Sequence, residues 1–283
     1  MNGWRRIIPI LRLIDRWKLW SWLWFILGAI YFILPLYGTL DFSLRMKRDV
    51  VSLLAYTEVF ADPQFVQTFV FSNQMAALTI IFSLLLIVPT TYWLHLRLPQ
   101  WRPIVELVTL LPFVIPAIVL VFGMIRTYSK PLMVGEVQII PALTNSTLTT
   151  NMLLIAGYVV LSLPYMYRAV DTGLRAIDVR TLTEAAQSLG AGWPTILWNV
   201  IFPNLRAALL SGALLTFAIV VGELTLANFL DRPAFGPYLW LLGQHRAYEP
   251  AALSIISFAL TWTAMVIIQF LSRGTPGQVA GAH

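Results

Sequence analysis

Six apolar runs of about twenty residues each dominate this chain: roughly Trp20–Leu40, Met75–Leu94, Ile104–Ile125, Met152–Asp171, Ala207–Phe229 and Ala251–Leu271. A helix rises 1.5 Å per residue, so each run matches the ~30 Å of hydrocarbon in a bilayer. Lipid offers no hydrogen bonds, so a spanning backbone must satisfy its own, and a helix does this within one segment. Only 11% of the residues are charged, well below the roughly 25% of a soluble domain. The expectation is an all-α integral membrane protein with six transmembrane helices. The first run is too long for a cleaved signal peptide and lacks a small-residue cleavage site, so it is expected to remain as a span.

Charge placement orients the bundle. Arg5, Arg6, Arg12, Arg16 and Lys18 precede the first run. Arg97 and Arg102 follow the second, Arg175, Arg180 and Arg206 follow the fourth, and Arg273 follows the sixth. Six spans put all of these on one side, and the positive-inside rule makes that side the cytoplasm, with both termini there. The opposite side is not clean, since Arg45, Lys47 and Arg48 lie in the first outer loop. The sequence divides into an N-terminal amphipathic segment, 1–19, a six-helix transmembrane body, 20–273, and a tail, 274–283. In the first segment Trp4, Ile7, Ile8, Leu11 and Ile14 recur at helical spacing, which suits an interfacial helix bent at Pro9. The first outer loop, with Asp62-Pro63 inside an aromatic stretch, is expected to form short surface helices.

Several chemistries are excluded or disfavoured. The chain has no cysteine, hence no disulfide framework or thiolate metal site. The basic residues sit beside apolar runs, as orientation signals do, which argues against nucleic acid. No Gly-rich loop ending in Gly-Lys-Ser/Thr is present, so nothing in the sequence cradles a nucleotide. No paired carboxylates, nucleophile–base arrangement or metal-ligand spacing appears. His95 falls at the cytoplasmic end of the second span and reads as interfacial.

The loop 172–206 carries the strongest local signal. Asp178 suits a helix N-cap, and Val179 to Leu189 are good helix formers. Gly190 permits the left-handed residue that ends a helix. Trp193-Pro194 opens another segment, and Pro203 is expected to stop it before the fifth span. Loops of this length with internal structure are usually functional. In the fifth span Glu223 stands at membrane depth, where an ionisable group normally faces a cavity or a partner. At 100° per residue Ala208, Gly212, Thr216, Glu223 and Ala227 share an arc of about 100°. Two readings stay open for Glu223: a translocation-path or gate residue, and a structural hydrogen bond to a neighbouring span. Pro112 and Pro116 in the third span, and Pro164 in the fourth, mark either a broken, cavity-lining stretch or ordinary shaping of the packing.

Glu184-Ala185-Ala186, then Gly190, then Val200, Phe202 and Pro203, resembles the EAA loop of binding-protein-dependent ABC importer permeases. The usual Ile and Leu are replaced by Val200 and Phe202. The resemblance implies the type I importer permease fold, with this loop forming coupling helices on a cytoplasmic ABC ATPase dimer. The implied contact residues are Glu184, Ala185, Ala186, Leu189, Gly190, Ala191 and Pro203, with Glu184 meeting a basic residue of the ATPase. The implied translocation path includes Thr216, Gly222, Glu223, Pro112 and Pro116. Further partners would be a second permease subunit, sister or self, an extracytoplasmic solute-binding protein and membrane lipid. The chain itself would hold no cofactor, since ATP binds the partner subunit. The Asp62-Pro63-Gln64-Phe65 run and Gly222-Glu223-Leu224-Thr225 look most like the spermidine/putrescine, ferric-iron and aminoalkylphosphonate group. A small organic cation such as a polyamine is the first choice of solute, although polyamine permeases often carry paired acidic residues where this chain has one. Ferric iron and an aminoalkylphosphonate are the alternatives. A different class, an ion-coupled carrier using Glu223, would need no ATPase.

Overall fold

The computed structural model describes residues 7–47, 50–134 and 137–273. The chain is almost entirely helical. In order it forms α1 (Ile7–Ser43), α2 (Leu54–Ala61), α3 (Pro63–Leu96), α4 (Arg102–Val114), α5 (Ala117–Tyr128), β1 (Leu132–Val134), β2 (Val137–Ile140), α6 (Thr147–Arg175), α7 (Val179–Ser188), α8 (Trp193–Thr195), α9 (Phe202–Asn204), α10 (Arg206–Gly222), α11 (Thr225–Phe229), α12 (Phe235–His245) and α13 (Tyr248–Arg273). The two strands pair antiparallel as a small hairpin. Among the described residues, three unbroken helices are long and apolar enough to cross a membrane, within α1, α3 and α6, and two sharply bent pairs pass the same test together. The sixth apolar run lies in α13, which is 26 residues long.

The polypeptide forms two compact units. The first holds α1, α2 and the start of α13. Here Ser43 Oγ and Tyr56 Oη share a hydrogen bond of 2.8 Å, Phe42 stacks on Tyr248, and Arg246 bridges Glu58 and Glu249. The helix α1 runs without interruption from Ile7 to Ser43, so the expected separate interfacial helix is continuous with the first span. Residues 1–6 and the tail 274–283 lie outside the described residues.

The second unit is built on α3, α6 and α10. Asp62 caps α3 by accepting from the Gln64 N–H at 2.9 Å, with Pro63 in the first turn. The second span therefore starts well before Met75, and the short surface helices expected in the outer loop reduce to α2. At 34 residues α3 is about 51 Å long, more than the hydrocarbon thickness. A buried Ser83–Ser162 hydrogen bond of 3.1 Å ties it to α6. Pro164 sits inside α6 without breaking it.

The third and fifth spans are not single helices. Between α4 and α5 the chain turns through 100°. Ile115, which precedes Pro116, is extended at φ −88°, ψ 116°, as the steric clash with a following proline ring demands. Pro112 lies within α4 and Pro116 makes the break. The fifth span breaks at Glu223, between α10 and α11, and just before this span the helical segment Trp193–Asn204 turns by 80° into α10 at Leu205. The segment ends at Asn204, one residue past Pro203, which itself sits in the first turn of α9. The turn just before it, Ile196–Ile201, is wound as a π-helix. A regular turn would press the Pro203 ring against the Asn199 carbonyl, and widening the turn relieves that clash.

Candidate coupling surface and the two broken spans

The helix α7 lies between the end of α6 and α8, and its two faces differ. Asp178 caps it, accepting from the Thr181 N–H at 3.1 Å and its hydroxyl at 2.7 Å. Those bonds hold the Asp178 carboxyl below its usual range. Val179, Thr183 and Ala186 face inward. The Thr183 hydroxyl meets the Tyr92 hydroxyl at 2.9 Å, and Tyr92 is fully buried on α3. Ile196, Ile201 and Leu205 continue this core beneath the second half of the loop. The outward face carries Arg180, Glu184, Ala185 and Gln187.

The end of α7 is a Schellman turn. The Gly190 N–H donates to the Gln187 carbonyl at 2.9 Å and the Ala191 N–H to the Ala186 carbonyl at 3.0 Å. Gly190 sits at φ +80°, a region that costs other residues roughly 1–2 kcal/mol. The turn leaves Leu189 89% exposed, an apolar side chain presented outward. Of the seven residues expected to meet an ATPase, Glu184, Ala185, Leu189, Gly190 and Pro203 are exposed, Ala191 is half-buried and Ala186 is buried. Ala186 thus anchors the helix from below. Glu184 forms an exposed ion pair with Arg180, one turn back, at 2.9 Å.

The second group of expected residues lies at the two breaks. Glu223 is not inside a helix. Its backbone is extended at φ −75°, ψ 127°, between α10 and α11. Its carboxylate accepts the N–H groups of Thr225 at 2.6 Å, of Leu226 at 2.9 and 3.0 Å, and of Ala227 at 3.3 Å. It therefore caps α11. The shared helical face expected from Ala208 to Ala227 ends at Gly222, because the break resets the periodicity. Within α10, the part of that face that persists packs on α6: a side chain at Gly212 would meet Met166 and Ala169 at 2.9 and 3.0 Å. Thr216 is fully buried and its hydroxyl has no partner, whereas Gly222 is exposed.

The halves that follow the two breaks pack together. Phe122 of α5 and Phe229 of α11 have ring centroids 4.9 Å apart. Both helices rest on α6 at Gly157, where a side chain would strike Leu226 and come within 3.2 Å of Met124. The buried Tyr158 hydroxyl faces the Glu223 carboxylate electrostatically without a hydrogen bond of standard geometry. An apolar cavity of about 210 Å³ opens beside the other break, lined by Leu111, Pro112, Ile115 and Val160 among others.

Sequence reasoning missed a third constellation. Asp171, 6% exposed near the end of α6, accepts from Arg102 Nη2 at 2.6 Å and Arg175 Nε at 2.8 Å, and shares a 2.8 Å hydrogen bond with His95 Nε2. His95 had read as interfacial and the two arginines as orientation signals. A buried acid in an apolar run, with basic residues one turn away and in the loop after the second span, is the available clue.

Long apolar helices, spans broken into half-helices and a one-sided helix carried on the same core suit a membrane transport subunit. Residues 95–274 match the family described as the binding-protein-dependent transport system inner membrane component, and the chain belongs to that family. The spermidine/putrescine permease PotB of Haemophilus influenzae is 26% identical over 64% of this chain and 63% of its own length. The molybdenum permease ModB of Escherichia coli K12 is 27% identical over 76% of this chain and 96% of its own. A bacterial ABC transporter involved in alginate import has the same fold, with a TM-score of 0.69 at 17% identity over 95% of this chain and 99% of that one.

Proposed function

We propose that this chain is the permease subunit of an ATP-driven importer, and that α7 with its Schellman turn seats on a cytoplasmic ATPase. The one-sided burial of α7 carries the reading. Its inner face is bonded to the core, and its outer face ends in Leu189, 89% exposed beside a left-handed glycine. An apolar residue held out on a rigid turn gains by burial in a partner's groove, and a helix fixed on its other side transmits rigid-body motion. A second permease subunit, sister or self, and an extracytoplasmic binding protein complete the assembly, with both termini of this chain in the cytoplasm.

The path for solute follows the two breaks, where Pro112, Pro116, Thr216, Gly222 and Glu223 lie. Glu223 acts there as the cap that keeps the α10–α11 break in place, as half-helix ends do in other carriers. Its carboxylate accepts from three backbone N–H groups, which fixes its orientation at the break. A polyamine solute is supported by relatives named for spermidine/putrescine, alongside others named for molybdenum and sulfate. Uptake of labelled spermidine in cells that depend on this chain tests it. Purification through a tag on this chain tests the coupling reading: a cognate ATPase should co-purify and be released by Leu189→Glu. Full retention by that variant overturns the reading.

A further inference from the structure

An ionised carboxylate is costly to bury and persists only when paired and hydrogen-bonded. Asp171 has three partners drawn from three elements: His95 from the end of α3, Arg102 from the start of α4 and Arg175 from its own helix. The same region of α3 also holds α7, because Tyr92, one turn before His95, bonds Thr183. Only residues 176–178 separate α6 from α7. The contacts form a closed circuit from α3 through Asp171 to α6, on to α7, and back through Thr183 and Tyr92.

An open groove lies beside that circuit. A cavity of about 390 Å³ lies at the base of α7, lined by His95, Leu174, Arg175, Ile177, Asp178 and Arg180 among others. Apolar packing holds Val179 and Ala186 against the core and leaves the groove side of α7 to polar contacts. Directional charge-assisted bonds fix both distance and angle, and the two on Asp171 Oδ1 join α3 and α4 to α6 at one point.

We propose that Asp171 is a positioning residue for coupling, a clamp that makes the inner ends of α3, α4 and α6 one body with α7. It touches neither solute nor ATPase. Resting on the coupling reading, the clamp makes movement imposed at Leu189 reach the two broken spans instead of being lost in tilting of α7.

The full chain contains no cysteine, which permits direct spin labelling at Leu98→Cys and Gln187→Cys, both exposed. The distance between these labels in lipid nanodiscs reports the angle of α7. The parent should give one narrow distribution, Asp171→Asn a broad or split one, and Asp171→Glu should recover much of the narrow form. A distribution as narrow in Asp171→Asn as in the parent overturns the clamp. If that variant does not fold, Arg102→Gln replaces it, with the same expected and overturning results. This measurement needs no ATPase, so failure of the ATPase to bind refutes the coupling reading and leaves the clamp standing. In the complex, Asp171→Asn should keep its ATPase yet lose stimulation of ATP hydrolysis by the binding protein, by about fivefold or more. Unchanged stimulation overturns the positioning role.

Discussion

Replacing Gly190 separates backbone geometry from side-chain volume. Its φ of +80° lies in the left-handed region, and a side chain built there meets nothing within 4 Å. Substitution therefore costs conformational strain without a clash. Alanine should pay roughly 1–2 kcal/mol. Asparagine should lose less, since its short polar side chain tolerates this region. Valine should lose most, because β-branching makes a positive φ a severe outlier. The chain can relieve the strain by abandoning the Schellman turn, breaking the 2.9 and 3.0 Å bonds from Gly190 and Ala191 and moving Leu189. Every 1.4 kcal/mol is tenfold in an equilibrium, so alanine should weaken docking by about five- to thirtyfold. The assay is the affinity of purified ATPase for the permease in nanodiscs across Gly, Asn, Ala and Val. The expected order is Gly, Asn, Ala, Val. Affinities that instead follow side-chain size, with Ala above Asn, would refute the geometric argument, as would a valine variant equal to the parent.

Four other outcomes follow from the same contacts. Glu223→Gln keeps the size but offers one acceptor oxygen and an amide donor to a cluster of N–H groups, so it should destabilise α11 by about 1 kcal/mol; thermal unfolding in detergent checks this, and unchanged stability would mean that the cap contributes little. Gly157→Ala pushes a methyl group into Leu226, Met124 and the α5–α11 junction, and overpacking should cost about 1–3 kcal/mol, read as a lowered melting temperature. Asp178 has a depressed carboxyl, so its contribution to α7 is present above the ordinary carboxylate range and is lost as pH falls through the lowered value. ATPase affinity should thus hold from neutral pH into mild acid and drop only below it, and Asp178→Asn, which still caps, should abolish that drop. Glu184→Gln removes an exposed i,i+4 pair with Arg180 and should leave stability within about 0.5 kcal/mol; a larger loss would show a buried role for Glu184.

What the sequence made legible was whatever depends on local chemistry. Asp178 and Gly190 announce the ends of α7 because a cap and a left-handed glycine are properties of a few adjacent residues. Asp62-Pro63 does the same for α3, yet the hydropathy of the second span drew attention to Met75 instead. The broken spans were harder. Composition cannot distinguish one crossing from two half-helices, and only Pro116 marks the first break. At the second, nothing in Gly222-Glu223-Leu224-Thr225 forbids a continuous helix; the break is visible once Glu223 turns its carboxylate onto the N–H groups ahead of it. Asp171 was only partly legible. Arg175 lies four residues away, but His95 and Arg102 lie 76 and 69 away, and pairing at those two separations is decided by tertiary packing.

The positions of these features relate the coupling surface to the breaks mechanically. Among the described residues α6 meets the helices at both breaks and leads through three residues into α7. Its Asp171 end joins α3, α4 and, through three residues, α7. Its face at Met166 and Ala169 receives α10, and Gly157 receives both α5 and α11. A displacement of α7 that tilts α6 as a rigid rod therefore acts on both breaks together, and it acts through close contacts. Packed interfaces respond to such displacements by switching between arrangements rather than by gradual deformation. The breaks are where that switching costs least, because at Ile115–Pro116 and at Glu223 the helical ladder is already interrupted. An engineered return to continuous helix at Pro116, with alanine there and at Pro112, should stiffen the third span and arrest transport while leaving ATPase affinity unchanged, since the α7 face is remote in sequence from the change and is anchored on α3. Transport at the parental rate in that variant would mean that the breaks do not move, and that whatever motion α7 delivers is taken up elsewhere in the bundle.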